Sequence, residues 1–249
     1  QFRRLPNIYF LLISILQIFT PYSPTSRFTT IVPLCVVVAF SIVKELIEDL
    51  YRHKADSSIN HLKTRVLRGG IFEVVSWKNV TVGDIVLIKD REYFPADLLL
   101  MSSDKEDGTC FVETCGLDGE NNLKIKKAPD VVMKSQDASR LEQLKGSLTY
   151  ECPKRRLSVF EATLQIEGAH EVSVDIKNIL LRGSSLRNSL FVHGLVLYTG
   201  QETKLVLNSV ATPSKMSTTD RMINQVIVII LMALVVLVTA SITISAILK

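Results

Sequence analysis

"VIVIILMALVVLVTASITISAIL", residues 226–248, runs for 23 residues without a charge or a proline. A helix of about 20 apolar residues crosses the hydrocarbon of a bilayer, so this stretch reads as a membrane span with room for tilt. Its hydroxyls, at Thr239, Ser241, Thr243 and Ser245, can be satisfied on carbonyls one turn back. That reading decides the fold class, because every other segment must then be placed relative to a membrane. Composition agrees: the 249 residues are 47% hydrophobic, and the mean hydropathy is +0.26, whereas soluble domains average below zero. The net charge of +4 is modest, and no interleaving of aromatic and basic residues accompanies it, which argues against a nucleic-acid partner.

Two further apolar runs open the chain. Ile8 to Phe19 is short, but extension back through Phe2 to Pro6 makes a span, with Arg3 and Arg4 at the interface. Phe28 to Ile47 follows, interrupted by Pro33, Lys44 and Glu45. The linker "TPYSPTSR" between the runs, with two prolines, forces a helical hairpin. Absence of a small-residue cleavage site, and the second run close behind, argue against a signal peptide. Arg3, Arg4, Arg52, His53, Lys54 and Arg221 flank one set of helix ends, and the linker holds Arg27 alone. The N-terminus and residues 49–225 are therefore expected to be cytosolic in a multi-pass membrane protein. On this topology the glycosylation sequon Asn79-Val80-Thr81 never meets the modifying enzyme. The expected organisation is a hairpin over 1–48, a stalk over 49–63, a cytosolic block over 64–208, a linker over 209–225 and a third helix over 226–249. A start at Gln1 and an end at Lys249, hard against the third helix, suit a segment of a larger membrane protein.

The middle block reads as β-rich. "TRVLRGGIFEVVSW" has a Gly-Gly turn between apolar runs, a hairpin signal. "VTVGDIVLIKD", "YFPADLLLMSS" and "CFVET" follow, and short apolar runs resume at "LSVFEATLQIEG", "NILLRGSSL" and "FVHGLVLYTG". Strands at this spacing suggest a distorted barrel or jelly-roll. The stretch from Leu46 to Lys63 reads as a helical stalk. Cys35, Cys110, Cys115 and Cys152 lack metal-ligand spacing and are expected to be reduced thiols.

Within this block "CGLDGENNLKIKK", residues 115–127, sets two carboxylates around a glycine among asparagines and lysines. An Asp-Gly turn commonly does no more than join strands. The order of motifs supplies another reading. "QFRRLPNIYFLLISILQ", "FTTIVPL", "YRHKADSSINH", "VGDIV", "PADLLLMSS", "ETCGLDGENNLK" and "LLRGSSLRN" together resemble the first three helices and actuator domain of a type IV P-type ATPase, a phospholipid flippase. The resemblance runs nearly end to end.

It implies that the loop at Asp118 reaches the aspartyl phosphate formed on a separate domain and positions the water that hydrolyses it. Glu120 would orient and partly deprotonate that water, Gly119 would permit close approach of the backbone, and Asp118 would orient the loop. Asn121 stands where the family pattern has threonine; it is larger and lacks the β-branch. The resemblance places ATP and Mg2+ on domains absent from this sequence, so no cofactor or metal is assigned to this segment. As partners it implies the phospholipid substrate, the phosphorylation and nucleotide-binding domains of the same protein and an accessory β-subunit. Gln17 in the first span and Asn224 at the start of the third are candidates for the lipid head-group path, with helix packing and an interfacial cap as the plainer alternatives. A flippase-like regulatory module fused to a guanylyl cyclase is the alternative function, favoured by Asn121. A cation pump fits less well, since its loop usually reads Thr-Gly-Glu-Ser. His193 is expected in a strand or core, and Asp97 to hold a turn through backbone hydrogen bonds. Arg182 and Gly183 are read either as resting against the partner domains in the phosphorylated state or as a strand-end turn with a surface Arg.

Overall fold

In the computed structural model, which describes residues 5–19, 26, 28–132, 141, 143–209 and 217–248, the strand β4 (Asp97–Ser103) is buried along its whole length. A strand alternates its side chains between two faces, so continuous burial requires a layer on each side. Leu98 and Leu100 point into one apolar cluster, and Leu99 and Met101 into another. Burying each such side chain contributes about 1.5–3 kcal/mol relative to leaving it in water.

Among the described residues the layers are three antiparallel sheets. The six-stranded central sheet contains β1 (Lys63–Arg68), β2 (Ile71–Ser76), β3 (Ile85–Lys89), β4, β10 (Ile179–Leu180) and β12 (Phe191–Tyr198), in the order β10-β4-β12-β3-β1-β2. One cluster joins Leu98 and Leu100 to Cys110 and Val112 of β5 (Thr109–Glu113) and Leu186 of β11 (Ser185–Arg187). These two strands and β6 (Lys124–Lys127) form a three-stranded sheet, β11-β5-β6. The other cluster joins Leu99 and Met101 to Leu164 of β8 (Glu161–Ile166) and Val174 of β9 (Val172–Asp175). With β7 (Gly146–Tyr150) these make the third sheet, β7-β8-β9. The expected Gly-Gly hairpin is present: β1 and β2 pair from Lys63↔Ser76 to Arg68↔Ile71 around Gly69-Gly70.

By contact the chain separates into two compact units, Ala55–Ala211, which holds the sheets, and Gln1–Lys54 with Thr212–Lys249. The second unit is helical. Helix α1 (Leu5–Phe19) packs against a long C-terminal helix, Thr218–Ile247. A cavity of about 260 Å³ lies between α1 and the start of α2 (Ile31–Asn60), lined by Asn7, Phe10, Thr30, Pro33, Leu34 and Val37. Pro33 is tolerated because it falls in the first turn of α2, where its missing N–H would have no helical partner. Lys44 and Glu48 pair at 3.5 Å across one turn, both exposed, as a solvated helix face would. Among the described residues one helical stretch, Arg221–Ile247, is long and apolar enough to cross a membrane; α1 is apolar but shorter.

The third helix starts earlier than the sequence suggested. Ser217 caps it, its hydroxyl accepting the Thr219 N–H at 3.3 Å, so 218–225 are helical and not part of the linker. Asn224 is therefore inside the helix and does not cap it. Residues 210–216 of the expected linker, and most of the hairpin linker, lie outside the described residues.

Candidate functional site

The polar loop joins two neighbouring strands, β5 and β6, whose last paired residues are Val112 and Lys124. A tight turn could have closed this hairpin; the chain instead inserts a helical turn, α3 (Cys115–Asp118). The turn is closed by Leu117 N–H and Asp118 N–H on the Thr114 carbonyl, at 2.8 and 3.1 Å. Gly119 ends it in the left-handed region, φ 76° and ψ 4°, with its N–H on the Cys115 carbonyl. A side chain there would meet open space, so the backbone angle alone calls for glycine.

Asp118 is the hub of the loop. Its carboxylate accepts from the Thr114 hydroxyl at 2.9 and 3.1 Å and from the Glu120 N–H at 3.0 Å. It also accepts a short hydrogen bond from the Lys124 ammonium. That bond, with the Thr114 and Glu120 donors, holds its carboxyl down at about 2, and the same contact raises the Lys124 pKa. Lys124 also stands 3.2 Å from Glu120 Oε2. The Glu120 side chain remains 61% exposed, presented outward. Asn121 is held differently: its Oδ1 accepts from Cys115 Sγ at 3.1 Å.

The foot of the loop is pinned from β11. Arg187 Nε donates to Glu113 Oε2 at 2.8 Å and Ser185 Oγ donates to the same oxygen at 3.1 Å, which together lower the Glu113 pKa. Beside the loop lies a cleft of about 380 Å³ lined by Leu117, Asp118, Glu120, Lys124, Lys126 and Ile176, among others. Lys126 donates to the Ile176 carbonyl at 2.6 Å, and burial lowers its pKa to about 8. Asp118, Gly119, Glu120 and Asn121 follow one another at the end of α3 and just beyond it. Thr114, Cys115 and Lys124 hold Asp118 and Asn121 in place, a role that no sequence motif marks. Spacing offers one signal for Lys124, four residues beyond Glu120, but its reach back to Asp118 depends on where β6 begins.

Residues 58–205 match the family described as the P-type ATPase actuator domain, and residues 1–31 match the phospholipid-translocating ATPase N-terminal family. The chain belongs to the P-type ATPases, in their phospholipid-translocating branch. Similar curated proteins include phospholipid-transporting ATPase tat-1 of Caenorhabditis elegans, 39% identical over 98% of this chain. Probable phospholipid-transporting ATPase 5 of Arabidopsis thaliana is 42% identical over 94% of it. Phospholipid-transporting ATPase ID of Homo sapiens is 39% identical over 91%. The chain spans about a fifth of these relatives, 21%, 19% and 19% of their lengths.

Within the actuator domain, Asp97 does not hold a local turn. It is fully buried and accepts from the N–H groups of Arg182 at 2.8 Å and Lys204 at 2.7 Å, tying two distant segments to β4. Its burial raises its pKa, opposed by those two hydrogen bonds. Lys204 begins the short helix α4 (Lys204–Asn208) and is itself buried, with Nζ on the carbonyls of Val159 at 2.8 Å and Arg156 at 3.2 Å. Arg182 donates to the Gly200 carbonyl at 3.0 Å. His193 is a buried strand residue of β12, its Nδ1 2.8 Å from Ser102 Oγ and its ring stacked on Phe72. Gln17 in α1 and Asn224 in the C-terminal helix are both half-buried in the helical unit. Among the described residues no cluster of three or more His, Cys, Asp or Glu side chains is placed to hold a metal ion.

Proposed function

We propose that this chain is the first-helices and actuator portion of an ATP-driven phospholipid translocase, and that Glu120 positions the water that hydrolyses an aspartyl phosphate. The observation that carries this is the division of labour between the two loop carboxylates. Asp118 is committed to three intramolecular donors, whereas Glu120 is held at the tip with its carboxylate presented outward. A presented carboxylate can accept a proton from an attacking water. The water oxygen bonds to phosphorus as the bond from phosphorus to the aspartyl oxygen breaks. The electron pair returns to the aspartate, and the proton passes through Glu120 to solvent.

In this proposal the substrate is a membrane phospholipid, and the loop acts on the phosphorylation domain of the same protein. ATP and Mg2+ are bound outside this segment. The chain crosses the membrane at residues 1–48 and again at 226–249, with the N-terminus and residues 49–225 cytosolic. The β-rich unit is then a distorted jelly-roll that serves as a lever. Stalk residues 49–63 and the segment leading into the third helix tether it to the spans, and its rotation moves them. Gln17 and Asn224 lie on the head-group path, and an accessory β-subunit meets the hairpin linker.

The test uses the full-length protein in native membranes, labelled with γ-phosphate-labelled ATP and chased with a panel of phospholipids. An acid-stable acyl phosphate should form and be discharged by at least one lipid. Glu120→Gln should slow its decay by about 10²- to 10⁴-fold, the range for loss of a general base. Asn121→Thr should leave the intermediate able to form. Absence of any phosphoenzyme in the wild type would sink the proposal.

A further inference from the structure

We infer that Lys124 is a positioning residue for this reaction, one ammonium holding both loop carboxylates in register so that Glu120 meets the acyl phosphate in a fixed place. The inference rests on the role proposed for Glu120. Three observations carry it. First, Lys124 Nζ contacts Asp118 Oδ2 and lies 3.2 Å from Glu120 Oε2, so a single cation bridges the loop's hub and its presented group. Second, the base of this lysine is fixed: it is the first residue of β6, paired with Val112 of β5, while Val112 itself lies in the core. A side chain anchored on a strand places a loop more accurately than one carried by the loop itself. Third, the Lys124 side chain is 39% exposed and lines the cleft beside the loop, which Glu120 also lines.

The bridge has a chemical consequence. Asp118 and Glu120 are carboxylates two residues apart, and like charges so placed repel. Without a cation between them, the flexible Glu120 side chain would swing away from Asp118 and sample many rotamers. Lys124 removes that repulsion and narrows the arc. Its contacts are with the two carboxylates, so the inferred effect on the reaction passes through Glu120.

The experiment compares wild type, Lys124→Met, Lys124→Arg and Glu120→Gln as full-length protein in native membranes. Each is labelled with γ-phosphate-labelled ATP, then chased with unlabelled ATP, with and without phosphatidylserine, phosphatidylethanolamine or phosphatidylcholine. Lys124→Met should form phosphoenzyme at close to the wild-type yield, while its decay slows by about 10- to 100-fold, as expected when a reacting group is misplaced by ~1 Å. Lys124→Arg, which keeps the charge, should recover most of that rate. Wild-type decay in the Met variant overturns the inference, as does an Arg variant as slow as Met. A Met variant that forms no phosphoenzyme assigns Lys124 to folding and overturns it too. If Glu120→Gln decays at the wild-type rate, it is the role of Glu120 that fails, and that result is separable from the others.

Discussion

His193 shows how a buried ionisable group can act on stability without taking part in chemistry. Its ring is sealed between Phe72 and Phe191, and Nδ1 meets the Ser102 hydroxyl. Burial lowers its pKa to about 4 from the ordinary 6.5, so the folded domain holds it neutral. Between those two values the unfolded chain binds a proton that the folded chain does not. Stability from this group is therefore complete above about pH 6.5 and falls as the pH drops toward 4, by on the order of 1–3 kcal/mol. Hydrogen exchange of the β12 amides in the full chain should report faster opening at pH 5 than at pH 7.5, and His193→Asn should flatten the difference. Equal protection of β12 at both pH values in the wild type would show that the ring is not held neutral. Asp118 and Glu120 make a complementary residue-scale point. They are two positions apart and chemically alike, yet three donors commit one to structure and leave the other presented, a distinction set by environment alone.

At the level of elements, the turn that carries these carboxylates is packed against a glycine whose other side faces the exit of the β unit. Gly183 has φ +84°, and a Cβ built there would lie 2.9 Å from Leu205 Cδ2 of α4 and 3.6 Å from Leu117 Cδ2 of α3. Gly183→Ala should cost about 1–2 kcal/mol through the left-handed backbone. Displacement of Leu205 Cδ2 should add to it, whereas Leu117 at 3.6 Å stays in ordinary contact. The check is a lower unfolding midpoint together with faster exchange of the α4 amides; an unchanged midpoint would show that the left-handed backbone at Gly183 carries no such cost. Local signals predicted much of this architecture. The Gly-Gly hairpin, the fully apolar strand at Leu98 to Met101 and the polar loop could all be read from a few adjacent residues. Asp97 could not, because its partners Arg182 and Lys204 are 85 and 107 positions away. The same holds for the foot of the loop, where Glu113 meets Arg187 across a pairing of β5 with β11. Ser217 was a different kind of miss: its capping position was local, but the long apolar run drew the helix start toward the first uninterrupted hydrophobic residue.

For the molecule as a whole, the decisive question is which side of a membrane each unit occupies. The apolar residues of the C-terminal helix are largely exposed, Ile229 at 66% and Leu237 at 63% for example, and under the proposed topology their surroundings are lipid and the other membrane helices of the protein. The proposed topology would set the basic residues Arg52, His53, Lys54 and Arg221 at one interface, in line with the positive-inside tendency. It makes a prediction that needs no assay of transport. When the full-length protein is synthesised into microsomes, the sequon at Asn79-Val80-Thr81 should remain unmodified, because the β unit stays on the cytosolic side. A sequon introduced into a lengthened linker between residues 20 and 27 should be glycosylated, because that linker faces the lumen. The added length keeps the acceptor clear of the bilayer, so lack of modification there cannot be attributed to reach. Modification of Asn79 would put the loop at Asp118 on the lumenal side, away from cytosolic ATP and from any domain phosphorylated by it. The hydrolytic role proposed for Glu120 would then have no substrate, whatever the geometry of the loop.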